Sequence, residues 1–82
     1  MPTYLDIHDI PGVTADAVAG AHEADVRTQA SYGVNYRHYW VDEAGGKVFC
    51  LVDAPDRESA VRVHREAHGL VADSLHEVLQ GA

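Results

Sequence analysis

The chain has 82 residues and a formal net charge of −7 at pH 7, with 13 acidic residues against 6 lysines and arginines. This length is that of one domain over residues 1–82, and the negative charge argues against nucleic acid and anionic membrane surfaces, which bind basic patches. The single cysteine excludes an internal disulfide, and no apolar stretch is long enough to cross a bilayer, so we expect a cytoplasmic protein.

The first third of the chain predicts a strand followed by a helix. Residues 3–9 alternate apolar and polar side chains, which is typical of a half-buried strand, and Pro11 ends it. Thr14 is a good N-cap, and a stripe of valine and alanine predicts a helix that continues to about Tyr32, before Gly33.

The rest of the chain predicts a hairpin, a second helix and a last strand. Residues 34–42 and 47–53 are rich in β-branched and aromatic side chains and flank a glycine pair that is typical of a tight turn. A second helix begins at Pro55 and ends before Gly69, and a short strand follows over residues 74–79. This order is that of a ferredoxin-like βαββαβ sandwich, an α+β fold with a four-stranded antiparallel sheet and two helices on one face.

Such a sheet leaves one face without helices. By simple alternation Tyr36 and Trp40 share a face of the second strand, so large apolar groups are expected on the open side. Monomeric proteins rarely expose a large apolar patch. We therefore expect a homodimer in which a second copy covers the open face.

The histidine content indicates a ligand more than a reaction. Six histidines stand beside 13 acidic residues, and neutral imidazole with carboxylate is the donor set that nickel, copper, zinc and cobalt ions accept. The chain has no phosphate-binding glycine loop, no cysteine pair at zinc spacing, no His-Glu-x-x-His and no nucleophile elbow. The sequence therefore predicts binding of divalent metal ions and no catalysis.

Two groups of residues are candidate metal ligands. The first and last strands are neighbours in this fold, and alternation is expected to place Asp6, His8 and His76 together on the face opposite the leucines. His64 and His68 lie one helical turn apart, a spacing that lets two imidazoles hold one ion. The structural alternative is a solvated sheet face for the first group and a packed core histidine at His64.

Two other classes of function stay open. An enzyme similar to the dimeric ferredoxin-like monooxygenases would use a pocket between sheet and helices, with His38 or His64 as its polar group. A catalytic pair of His38 and Cys50 would need an orienting group and an oxyanion site that the sequence does not show. The third possibility is a small-ligand-binding or interaction module whose histidines pack or sense pH.

Beyond these patterns, the order and spacing of several residues match a known family. They are Tyr4-Leu5, Asp9 to Gly12, His38, Val41, Cys50, Ala54-Pro55, Arg62, His64, Gly69 and Ala72. In these positions the chain resembles a family of small bacterial ferredoxin-like domains, long catalogued as having unknown function, which includes an actinobacterial nickel-binding protein. The resemblance implies a homodimer, a nickel ion as the bound metal, and nickel sequestration or detoxification rather than catalysis.

The choice of nickel comes from this resemblance alone. At almost any imidazole and carboxylate site the order of affinities favours copper over nickel, so ligand chemistry does not select the ion. His8 and His68 also depart from the family pattern, where arginine and a small residue are usual.

Overall fold

The strands and helices follow the predicted order in the computed structural model, which describes residues 1–81. The elements are β1 (Thr3–Asp9), α1 (Ala15–Thr28), a 3₁₀ helix (Gln29–Tyr32), β2 (Asn35–Asp42), β3 (Lys47–Asp53), α2 (Arg57–Ala67) and β4 (Ser74–Glu77). The sheet order is β2-β3-β1-β4, and each neighbouring pair is antiparallel. The predicted α+β ferredoxin-like fold is confirmed.

Side-chain caps fix where both helices begin. Thr14 Oγ1 accepts a hydrogen bond of 3.2 Å from the backbone N–H of Ala17, and Asp56 Oδ1 accepts one of 2.8 Å from that of Ser59. The first helix passes into the 3₁₀ turn and stops at Gly33, whose left-handed backbone (φ 64°) suits glycine.

The core lies between the sheet and the helices. Val52, Ala60 and Val63 are 0% exposed there. The last strand is shorter than predicted, because β4 ends at Glu77 and Leu79 is 97% exposed. No helix in the described part of the chain has the length and apolar character needed to span a bilayer.

The burial of β1 is the reverse of what its apolar side chains suggest. Tyr4, Asp6 and His8 face the helices and are buried, whereas Leu5 and Ile7 lie half-buried on the other face. The alternative of a solvated sheet face is therefore wrong for Asp6 and His8. Alternation determines which side chains share a face, but it does not determine which face the helices cover.

A β-bulge changes the faces of β2. Its pairing with β3 shifts between Tyr36 and His38, so Tyr36 is packed under the helices at 3% exposure while Trp40 is 53% exposed on the opposite side. The prediction that Tyr36 and Trp40 share a face was wrong because the bulge interrupts the alternation. The open face of the sheet carries Leu5, Ile7, Trp40, Phe49 and Leu51.

Candidate metal centre

The inward side of β1 places a carboxylate and an imidazole in the core beneath the helices. Asp6 is 1% exposed and His8 is 4% exposed. Asp6 Oδ1 lies 3.2 Å from His8 Nε2, and Asp6 Oδ2 lies 2.9 Å from Nε2 of His64 on α2. Cys50 is the direct partner of Asp6 on the neighbouring strand β3. We call these four residues the inner set, since each offers a donor atom within 4.8 Å of the others and all are buried.

A second group of donors adjoins the first through the other side of the His64 ring. His64 Nδ1 lies 2.8 Å from Oδ1 of Asp25, which α1 carries on its buried face. His68 Nε2, one turn further along the chain, lies 3.0 Å from the same oxygen. Asp25, His64 and His68 form the outer set, whose donor atoms also lie within 4.8 Å of one another.

His64 is positively charged at neutral pH. Burial would lower the pKa of this histidine, but hydrogen bonds to Asp25 and Asp6 and the charges of both carboxylates outweigh burial and raise its pKa to about 9. Burial likewise opposes ionisation of Asp6, yet its hydrogen bond to His64 and the neighbouring ring of His8 lower the pKa of the carboxyl to about 2. The centre thus holds an imidazolium between two carboxylates.

The remaining polar groups around Asp6 keep their protons. Burial raises the pKa of the Cys50 thiol, and the negative charge of Asp6 raises it further. Burial and the charge of Asp6 also raise the pKa of Tyr36, whose hydroxyl donates a 2.9 Å hydrogen bond to the backbone oxygen of Ala60. Cys50 is therefore a neutral thiol until a cation displaces its proton.

A cleft of about 270 Å³ leads to the centre. Its walls come from the loop after β1, from α1, from β3 and from the residues that follow α2. His8, Cys50, His64, His68 and Asp25 line its inner end. The cleft gives a small ion access to donors that are otherwise buried.

Comparison with known proteins identifies the family. The model of a family described as "Nickel responsive protein SCO4226-like" matches residues 4–78. The chain belongs to this family. The chain is similar to the solved structure of SCO4226 from Streptomyces coelicolor A3(2), with 36% sequence identity. The match covers 98% of this chain and 99% of the SCO4226 chain, and the two structures superpose with a TM-score of 0.90. None of the curated proteins matches. The family resemblance predicted from the sequence is confirmed.

An unpaired carboxylate oxygen shows that the centre fits a cation. Asp6 Oδ1 and His68 Nε2 are the buried side-chain atoms without a hydrogen-bond partner among the described residues, and of these two the oxygen of Asp6 is free to bind an ion. His8 Nε2 approaches Asp6 Oδ1 to 3.2 Å, but without the geometry of a hydrogen bond. Buried polar atoms without partners are rare and often mark the place of an ion or a water molecule. Imidazole, carboxylate and thiol are donors that nickel and its neighbours in the first transition row accept.

The structure brings together four of the five predicted ligands. Asp6, His8, His64 and His68 form one connected cluster, where the sequence predicted two separate groups. His76 does not join them. It pairs with Leu5 across β1 and β4, so it lies exposed on the open face, while Leu75 is the residue opposite Asp6. The predicted grouping of Asp6, His8 and His76 was therefore wrong.

Asp25 and Cys50 were not among the ligands predicted from the sequence. Asp25 follows Val18 by seven residues, and these two are the buried residues of α1, so an acidic residue in the apolar stripe was the available signal. Cys50 lies between Val48 and Val52 in a strand that alternates buried and half-buried residues. His38 is on the opposite face of the sheet from Cys50, so the two do not form a pair.

Proposed function

We propose that this protein binds a nickel ion through the inner set and thereby sequesters nickel in the cytoplasm, without catalysing a reaction. One observation carries the proposal: Asp6, His8, Cys50 and His64 place four metal-binding atoms within 4.8 Å in a buried position that a cleft reaches. The nickel-responsive family supports the choice of ion. The donors alone suit copper, zinc and cobalt as well.

The hydrogen bonds of His64 favour the inner set. A histidine that binds a metal usually donates its other ring N–H to a carboxylate, which fixes the ring and its tautomer. His64 can bind the ion through Nε2 while its Nδ1–H stays 2.8 Å from Asp25. Asp25 then acts as a positioning residue. The ion takes the place of the proton that Nε2 shares with Asp6, so binding releases that proton.

The outer set is the less favourable place for an ion because of His68. The backbone N–H of Leu70 donates a 3.0 Å hydrogen bond to His68 Nδ1, so the ring proton of neutral His68 lies on Nε2. Metal binding through Nε2 would move that proton to Nδ1 and break the bond to Leu70. This proposal therefore does not include the predicted ligand roles of His68 and of the exposed His76, neither of which belongs to the inner set.

We also propose that the protein is a homodimer. The open face presents Trp40 at 53% exposure beside half-buried leucine, isoleucine and phenylalanine side chains. Apolar burial against a second copy is the simplest way to cover this surface in so short a chain.

Isothermal titration of tag-free, chelator-treated protein with nickel chloride tests the site. We expect one strongly bound ion per chain, and we expect Cys50→Ser to weaken binding at least tenfold because it removes the thiolate donor. A thiolate-to-nickel absorption band should appear in the wild type and vanish in Cys50→Ser. His76→Ala is the matched control and should leave the affinity unchanged. Loss of binding in His76→Ala with no effect of Cys50→Ser would place the ion on the surface and contradict the proposal.

A further inference from the structure

The cleft has more room and more apolar surface than a bare metal ion needs. Its volume is about 270 Å³, and its walls include Ile10, Val13, Val18, Ala21 and Val48. Sites for small organic molecules have this composition, with apolar walls and a few polar groups at one end. Sites for drug-sized ligands span roughly 300 to 1,000 Å³. This cleft is slightly smaller, so it suits a molecule the size of a single aromatic ring.

The charges around the cleft restrict the ligand. No lysine or arginine is among the described residues that line it, and the carboxylate of Asp25 lies at its inner end. An anionic ligand would meet the carboxylate of Asp25 and find no lysine or arginine along the described walls to balance its charge. Burial of a charged ligand among apolar walls is costly in the absence of a partner of opposite charge. A cationic organic ligand would have to compete for Asp25 with the His64 ring, whose Nδ1 lies 2.8 Å from that carboxylate, so an uncharged ligand is favoured.

His68 supplies one specific polar group. Because its Nδ1 accepts from Leu70, its Nε2 carries the ring proton and is a hydrogen-bond donor. This Nε2 has no hydrogen-bond partner among the described residues, although Asp25 Oδ1 is 3.0 Å away. An unsatisfied buried donor is costly, and an oxygen atom brought by a ligand would satisfy it.

We propose that the cleft binds a small, uncharged, largely apolar organic molecule whose single hydroxyl or carbonyl oxygen accepts a hydrogen bond from His68 Nε2. This binding does not require nickel and goes beyond the proposed nickel sequestration.

Titrations of metal-free protein, followed by amide chemical shifts in NMR, test the proposal with phenol, toluene and benzoate as probes of equal size. We expect phenol to produce saturable shifts at the amides of Val13, Val18 and Ala21, and benzoate to produce none there. Ala21→Phe fills the cleft and should abolish the phenol shifts. If that variant does not give a wild-type-like spectrum, Ala17→Phe fills the cleft from one turn earlier on α1. Absence of saturable phenol shifts at the cleft residues, or tighter binding of benzoate, would overturn the proposal.

The role of His68 is tested by the ratio of phenol affinity to toluene affinity, compared between the wild type and a His68 variant. In His68→Phe the ring remains but the donor is lost, so the ratio of phenol affinity to toluene affinity should fall about five- to tenfold, the value of one hydrogen bond. An unchanged ratio would refute the assignment of His68. The two proposals fail separately, because Cys50→Ser should lose nickel and keep phenol, whereas Ala21→Phe should lose phenol and keep the nickel donors.

Discussion

The charged His64 should make the stability of the metal-free protein depend on pH. Its pKa rises from 6.5 to about 9 on folding, so the folded state binds the proton more tightly than the unfolded chain. The resulting stabilisation is fully present below pH 6.5 and is lost as the pH rises through about 9. At about 1.4 kcal/mol for each pH unit, the loss over this range amounts to about 3 kcal/mol.

Urea denaturation at a fixed protein concentration, with chelator present, measures this dependence. Between pH 6.5 and about 8.5 we expect the free energy of unfolding of the wild type to fall by about 1 kcal/mol per pH unit on average, because the unfolded chain is still half protonated at the lower end of this range. His64→Gln keeps a polar side chain but no titrating ring, so its free energy of unfolding should be lower at pH 6.5 and nearly constant over the range. His38→Gln removes an exposed histidine from the open face and should retain the wild-type slope. A wild-type slope in His64→Gln would show that His64 is not held as an imidazolium between Asp6 and Asp25.

Three further measurements test the metal donors, the open face of the sheet and one buried hydrogen bond. Nickel affinity, measured by isothermal titration at pH 7.5 and 5.5, should be lower at 5.5 because protonated imidazole has no lone pair to donate; equal affinities would mean that carboxylates alone hold the ion. Light scattering should find a dimer in chelator-treated protein because apolar burial drives assembly, whereas a monomer that dimerises only with nickel would reverse that order of causes. Tyr36→Phe removes the donor to the Ala60 carbonyl and should cost about 1 kcal/mol in thermal or urea unfolding; no change would show that this hydrogen bond contributes nothing to stability.

Local signals in the sequence were sufficient for the fold. The predicted strands over residues 3–9 and 47–53 have the observed bounds, and the caps at Thr14 and Gly33 act where they were expected. These features depend on neighbours in the chain, so a single sequence reveals them. The order of the elements then left one common arrangement for the sheet.

The centre depends on contacts between distant parts of the chain, and there the sequence was less informative. Alternation along β1 could not show that Asp6 faces inward. His76 faces outward because of the register in which β4 pairs with β1, and no local signal in the sequence specifies that register. The bulge after Tyr36 is a similar case. Asp25 joins the site because α1 packs against α2, and its partner His64 lies 39 positions further along the chain.

The buried charges of the centre serve either the stability of the fold or the binding of an ion, and substitutions distinguish the two. Asp6, Asp25 and His64 are each at most 3% exposed, and removal of one member leaves the others buried without a partner, which typically costs about 3 to 5 kcal/mol. Replacement of all three by apolar residues of similar volume is often neutral or stabilising. We therefore expect the triple variant Asp6→Leu, Asp25→Leu, His64→Leu to unfold at a urea concentration at least as high as that of the wild type. Each single leucine variant should unfold at a lower urea concentration.

The triple variant should also lose nickel binding in isothermal titration, because it removes a carboxylate and an imidazole of the inner set together with the carboxylate that orients His64. If its free energy of unfolding instead falls by the sum of the three single effects, the charged cluster contributes to the stability of the fold itself. A chain of 82 residues has little apolar core to spare, so a cluster that adds no stability needs a ligand to explain its presence.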